Sequence, residues 1–285
     1  MSDSVIWLPS SPCAGSMYLR FILGNLFLGD LKTSSDLWRV IPPIPQYKRD
    51  LIKPIPGTNK YICKTHFLAT NEVLDDPRFN VEGFIYLVRN PVDTIASMVN
   101  LMLQRHPNIN LLSDAEVQEI RQEYVDYLSK YSAPTIWLES NFGTWSSHIH
   151  SWLNPSNNKL APSRISKIPR IVIRFEDLKS SPQVEITKIC SFLGVRFSDR
   201  EIDIAVRKSH FEKTKMIEEN EIKNQVPGEF YDHSYVAGLD KGFRIHYRGV
   251  SGYGKLQLSK KNIEYIEKWS TPWLDEFNYR SDYLT

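Results

Sequence analysis

Val5-Ile-Trp-Leu-Pro-Ser-Ser-Pro-Cys-Ala-Gly-Ser-Met17 is the stretch whose reading decides the fold. Val5-Ile-Trp-Leu8 is a short apolar run, which suits a buried strand. Pro9 to Ser16 are small residues broken by two prolines, the composition of a loop. Met17 to Leu28 is apolar enough for a packed helix. Strand, small-residue loop and helix N-terminus in that order form an anion site, because the first helical amides are unpaired and the dipole is positive there. The loop is not a Walker A loop: no Gly-Lys-Ser/Thr follows its glycine. A magnesium-dependent nucleotide hydrolase is therefore disfavoured. The alternative is a plain structural turn.

Outward from this stretch the pattern repeats. Tyr61-Ile-Cys-Lys64, Phe84-Ile-Tyr-Leu-Val88 and Ile171-Val-Ile173, continuing to about Phe175, read as strands. Pro91 lies near the start of a helix carrying Ile95, Val99 and Met102. Ser113-Asp-Ala-Glu116 and Ser198-Asp-Arg-Glu201 are capping boxes, the first for a helix to about Lys130. Pro182 opens a helix that Gly194 can close. Strands alternating with helices predict an α/β fold with a central parallel β-sheet flanked by helices. The expected organisation is a single domain over residues 1–285. Residues 154–169 and about 218–242 are polar and read as long loops that shape an acceptor pocket, with Tyr231, Asp232, His233 and Tyr235 in the second.

Of 285 residues, 41% are hydrophobic and 24% charged, so disorder is excluded. A net charge of +2 gives no global field for nucleic acid; any anion site must be local. Three cysteines, Cys13, Cys63 and Cys190, make no disulfide framework and have no zinc-site spacing, which points to a reducing compartment. Met1-Ser-Asp-Ser4 lacks the basic start of a signal peptide, and no apolar run reaches membrane-span length. A cytoplasmic protein with no membrane span and no nucleic-acid partner is the expectation.

The chemistry-bearing residues follow from type and position. Arg89 ends an apolar strand, where a guanidinium can make a bidentate contact with a phosphate dianion. Ser97, eight residues on, adds a hydroxyl; the alternative is an Arg89 paired with Asp93 or Glu82. His66 follows a strand, and its ordinary pKa suits proton abstraction from a hydroxyl. Lys64 is a cation two residues before it. His148 and His150 point to different helix faces, so no metal site is read from them.

Pro12-Cys-Ala-Gly-Ser-Met-Tyr-Leu-Arg20 resembles the first loop of sulfotransferases that use 3′-phosphoadenylyl sulfate (PAPS). Lys64-Thr-His66, Arg89-Asn-Pro-Val-Asp-Thr-Ile-Ala-Ser97, Gly143-Thr-Trp145 with His148 and Trp152, Phe175-Glu-Asp177, Ser209-His-Phe211 with Lys215, and Arg248-Gly-Val-Ser-Gly252 with Lys255 resemble later motifs of that family, in family order. The resemblance runs from residue 5 to about 269. It implies a P-loop NTPase-like sulfotransferase fold and sulfuryl transfer from PAPS to a hydroxyl or amine of a small-molecule acceptor. A bacterial natural product is the expected acceptor class. No metal is needed.

By resemblance, His66 is the general base and Lys64 meets the sulfuryl group. Cys13, Ala14, Gly15, Ser16, Met17, Tyr18, Arg89, Ser97, Phe175, Ser209, Phe211, Arg248 and Gly249 would hold the donor. Arg89, Ser97, Arg248 and Gly249 fall on its 3′-phosphate, and Tyr18 and Phe211 on its adenine. Four positions depart from the family: Cys13 replaces a lysine, Tyr18 a tryptophan, Phe175 a tyrosine and Tyr247 a basic residue. The lost lysine leaves three readings: Lys64 and the loop amides suffice, another cation substitutes, or turnover is impaired. Alternatives are a catalytically weak sulfotransferase-like nucleotide-binding protein and, more distantly, a nucleotide-dependent kinase. The family's dimer segment is matched only in part by Lys255, Ser259 and Glu264, so a monomer or weak homodimer is expected.

Overall fold

The computed structural model describes residues 3–154, 163–246, 249–271 and 273–280. They fall into two compact units, Met1–Arg89 with Thr135–His210, and Asn90–Pro134 with Phe211–Thr285.

The first unit holds the sheet. Its strands are β1 (Asp3–Pro9), β2 (Lys60–Thr65), β3 (Phe79–Val88) and β4 (Arg170–Arg174), in the order β2-β1-β3-β4. Every pairing is parallel, with Leu8 beside Lys64 and Val88 beside Arg174. β1 and the second half of β3 are buried almost throughout, because a parallel sheet is covered on both faces. Helix α1 (Ser16–Leu28) packs Leu19, Ile22 and Leu23 into a core shared with Ile6, Leu8, Ile85, Leu87 and Ile173. From β1 the chain goes to β2 on one side, and β3 then pairs with β1 on the other. The loops after β1 and β3 therefore part at a topological switch point, where open α/β sheets place their ligands.

Local signals read from the sequence are realised here. Ser198 caps Asp199–Lys208 in a full capping box, and Gly194 ends Pro182–Leu193 in the left-handed conformation. β4 stops at Arg174, one residue short of the expectation, and Phe175 instead opens a short helix, Phe175–Ser180. Of the expected loop at 154–169, residues 155–162 lie outside the described residues. Ser163–Lys167 forms a 3₁₀ turn with Ile165 buried.

The second unit is helical: Pro91–Gln104, Asp114–Tyr131, Phe211–Asn224 and Lys260–Ser270, with shorter turns. The Ser113 capping box is present. The expected loop at 218–242 is corrected here. Its first seven residues complete the Phe211–Asn224 helix, and His233–Tyr235 and Val236–Asp240 are helical turns. Apolar periodicity could not find that helix, because its buried positions are Thr214, Glu218 and Glu221. Tertiary hydrogen bonds satisfy Glu218, while the Thr214 hydroxyl donates within the helix to the Phe211 carbonyl at 3.1 Å. The Glu218 carboxylate accepts from the Ile245 and His246 amides at 2.6 and 3.0 Å, and faces His246 Nδ1 at 2.8 Å. Among the described residues no helix is long and apolar enough to cross a membrane.

Candidate functional site

Within the first unit, the loop after β1 is shaped by two left-handed residues. Cys13 has φ 66° and Gly15 has φ 90°. Gly15 is required twice over: its φ disfavours a side chain, and a Cβ there would lie 2.3 Å from the Phe175 ring. α1 begins at Ser16 with no side-chain cap and no acidic residue in its first turn. Its first turn is braced by Arg20, fully buried, whose Nε and Nη2 donate to the Ile41 carbonyl at 3.1 and 2.9 Å. Its Nη1 lies 3.4 Å from Met17 Sδ. Ala14 and Ser16 are buried, which leaves little room for larger side chains.

Arg89 closes on this loop from the end of β3. Its Nη1 donates to the Cys13 carbonyl at 3.1 Å, and its guanidinium lies 4.6 Å from the centre of the Phe175 ring. Glu82 binds Lys60 at 2.8 Å, and Asp93 accepts from the Gly252 and Gly254 amides at 2.7 Å each. Tyr18 and Phe175 meet edge to face at 6.4 Å. Lys179, which the sequence reading did not single out, lies 4.6 Å from the Tyr18 ring centre. Loop, Tyr18, Arg89 and Phe175 are thus brought together as expected. A left-handed loop, a helix start and an arginine over an aromatic ring fit a phosphorylated nucleoside.

His66 lies just past β2, beside the loop that leaves β1. Its Nδ1 is 2.7 Å from the Ser10 carbonyl. A carbonyl can only accept, so Nδ1 carries the proton and Nε2 of the neutral ring keeps its lone pair. Burial, then the charge of Lys64, hold the His66 pKa well below the ordinary histidine range. The neutral ring is therefore the resting form at neutral pH. Lys64 is fixed by β2 and by its amide, which donates to the Pro42 carbonyl at 2.8 Å.

The Trp145–Leu153 helix holds the segments around both groups. Trp145 Nε1 donates to the Arg89 carbonyl at 3.1 Å, Trp152 Nε1 to the Phe67 carbonyl at 3.0 Å, and the Ala69 amide to Ser151 Oγ at 3.1 Å. The Tyr86 hydroxyl, kept protonated by burial, lies in hydrogen-bond contact with His148 Nδ1 at 2.8 Å. Burial pushes the His148 pKa down to about 3.

A pH dependence of stability follows. His66 and His148 have folded pKa values below the unfolded histidine value of about 6.5, so on acidification the unfolded chain binds more protons. Their contribution is complete above about pH 6.5 and is lost as pH falls through the folded values. Each adds a slope of at most about 1.4 kcal/mol per pH unit. The urea midpoint is expected to fall between about pH 7 and pH 5, less so in His148→Asn. A midpoint flat over that range, or a slope unchanged in the variant, contradicts a buried neutral pair.

The remaining predicted residues sit as follows. Ser209 is fully buried; its hydroxyl donates to the Ala205 carbonyl at 2.8 Å and accepts from Asn25 Nδ2 at 2.9 Å, so its one proton is engaged inside the first unit. Ser97, Phe211 and Gly249 belong to the second unit. There Gly249, with φ 66°, lies against the Phe211 ring, which a Cβ would approach to 2.2 Å. Arg248 and Tyr247 lie outside the described residues. Asp93, which the sequence reading weighed only as a partner for Arg89, instead anchors the segment that follows them. Asp232 binds the amide and hydroxyl of Ser234 at 2.8 and 2.6 Å, so it closes its own turn. The three cysteines are free thiols, with Cys63 and Cys190 buried.

Mouse sulfotransferase SULT7A1 complexed with PAP superposes with a TM-score of 0.58 at 19% identity, covering 96% of this chain and 84% of that one. Retinol dehydratase in a complex with retinol and PAP gives 0.59 at 16%, covering 96% and 82%. At these identities the likeness is one of fold. In sequence, Sulfotransferase 2A6 of Mus musculus is 27% identical over 186 residues, 65% of this chain and 53% of that protein. Amine sulfotransferase of Oryctolagus cuniculus is 21% identical over 246 residues, 84% and 73% of the two chains. The chain spans about half the length of the curated relatives it matches first. The sulfotransferase-domain family profile matches residues 33–278, most of the chain, and the chain belongs to the sulfotransferase family.

Proposed function

We propose that this chain transfers a sulfuryl group from 3′-phosphoadenylyl sulfate to a hydroxyl or amine of a small-molecule acceptor. The observation that carries the reading is His66: its Nδ1 proton is engaged by the Ser10 carbonyl, which leaves Nε2 as the base. The donor, when bound, supplies the sulfuryl group for in-line transfer. The chain's own residues do the rest. Arg89, the Cys13–Met17 loop, Tyr18 and Phe175 hold and orient the nucleotide. His66 Nε2 takes the acceptor's proton as its oxygen or nitrogen attacks. Lys64 presents a full positive charge to the transferring group, in the manner of cation-assisted phosphoryl transfer. The donor roles of Ser97, Ser209, Phe211, Arg248 and Gly249 follow from the resemblance; a bacterial natural product as acceptor, a single domain over 1–285, cytoplasmic location and a monomer or weak dimer belong to the same reading.

Arg89 tests the reading. Arg89→Ala is expected to weaken adenosine 3′,5′-bisphosphate far more than adenosine 5′-phosphate. Loss of a charged hydrogen bond of about 1.5–3 kcal/mol is roughly ten- to a hundredfold in affinity. Equal losses for both nucleotides in calorimetry would overturn the 3′-phosphate assignment.

A further inference from the structure

Lys179 sits beside the candidate donor site without an assigned task. It falls one helical turn after Phe175 on the Phe175–Ser180 helix, so both side chains leave the same face. Phe175 packs on Gly15 of the loop and under the Arg89 guanidinium. Lys179 Nζ lies over Tyr18, the third residue of α1. Arg89 Nη1 reaches the Cys13 carbonyl. Two cations, one over each of two touching rings, thus converge on a single loop and helix start.

We propose that Lys179 is a donor-binding residue that joins Arg89 on the 3′-phosphate of the nucleotide, a dianionic phosphate ester beside a purine.

This inference rests on the donor reading above. Arg89 and Lys179 are each partly withdrawn from water and repel one another, and an anion placed between them would offset that repulsion. The strain registers on Lys179: burial, then the Arg89 charge, lower its pKa. On the same helix Asp177 pairs with Arg174 at 3.2 Å, and among the described residues no carboxylate lies within ion-pair distance of Lys179. A phosphate dianion matches two cations in charge, and Tyr18 offers a ring face for a purine next to them.

The test is calorimetry on the full chain, with adenosine 3′,5′-bisphosphate and adenosine 5′-phosphate as probes. Lys179→Met keeps the alkyl stem against Tyr18 and removes the charge. It is expected to weaken the bisphosphate about tenfold or more and the monophosphate by less than about twofold, while Lys179→Arg stays within about threefold of the parent on both. Thermal melting checks the fold, and Lys179→Gln replaces the methionine variant if that one does not fold. Unchanged bisphosphate affinity in the neutral variants overturns the proposal. Equal losses on both nucleotides overturn it too, since Lys179 then acts only by packing on Tyr18. If the parent shows no preference for the bisphosphate, the donor reading falls and this proposal with it. If Arg89→Ala loses that preference and Lys179→Met keeps it, only this proposal falls.

Discussion

Lys64→Met is expected to abolish measurable turnover while leaving adenosine 3′,5′-bisphosphate bound. Sulfuryl transfer spreads negative charge over the non-bridging oxygens, and groups aimed at those oxygens act in a water-poor site. Removing one neutral donor from such a site typically costs about 10²–10³ in rate, and a full charge is worth more. This chain has fewer cations to spare. The first-loop position of the family's lysine is Cys13, and its neighbours Ser10, Ser11 and Ser16 are neutral. Lys64 is held by the parallel register of β1 and β2, which sets it opposite Leu8, two residues before the turn into the loop. Its charge is felt at His66, where it helps to hold the ring neutral. Loss of that charge is therefore also expected to raise the His66 pKa. Steady-state and single-turnover kinetics with a phenolic acceptor panel would measure the rate, and calorimetry the binding. Turnover within about tenfold of the parent would mean that the developing charge is met elsewhere. The companion change Cys13→Lys restores the family's pattern and is expected to be tolerated, with an equal or higher rate.

The second large effect is at His66. His66→Ala is expected to lower turnover by about 10²–10⁴, the range for loss of a positioned general base, with nucleotide affinity nearly unchanged. The two readouts separate because His66 lies at the end of β2 against Ser10, whereas the aromatic and cationic contacts to the loop come from Tyr18, Arg89, Phe175 and Lys179. The pH profile carries a further signature. A base must be neutral to accept a proton, and burial lowers the His66 pKa, so neutral His66 persists to lower pH. The acid limb of the parent's rate profile is therefore expected well below about pH 6.5. A His66→Ala rate close to the parent's, or an acid limb at the ordinary histidine pKa, would remove His66 from this role.

Much of this was legible in the chain because it is written locally. Short apolar runs mark β1 to β4, and proline, glycine or a capping box marks several of the helices, since strand burial and cap chemistry act over a few residues. The Phe211–Asn224 helix was not legible. Its inward positions Thr214, Glu218 and Glu221 are polar, and nothing in their spacing tells that amides near residue 245 will satisfy Glu218. At the site, residue types nominated Arg89, Lys64 and His66, but not which ring nitrogen of His66 holds the proton.

By itself the sequence determined the alternation of strands and helices, the loop without a Walker lysine, and a resemblance to the family whose profile matches residues 33–278. The tertiary structure alone decided what those residues face. The parallel pairing β2-β1-β3-β4 brings Ser10, His66 and Arg89 to one end of the sheet, although His66 and Arg89 lie far along the chain from Ser10. Lys179 joins them only because β4 pairs with β3 and the chain turns back at Phe175. Its role has no local signature: a lysine on a short amphipathic turn looks like any solvated charge until packing sets it over Tyr18. The physical reason is the range of the forces. Capping and periodicity act between near neighbours in the chain, while the convergence of two cations on one loop is fixed by sheet order and burial, which act between residues that meet only when folded.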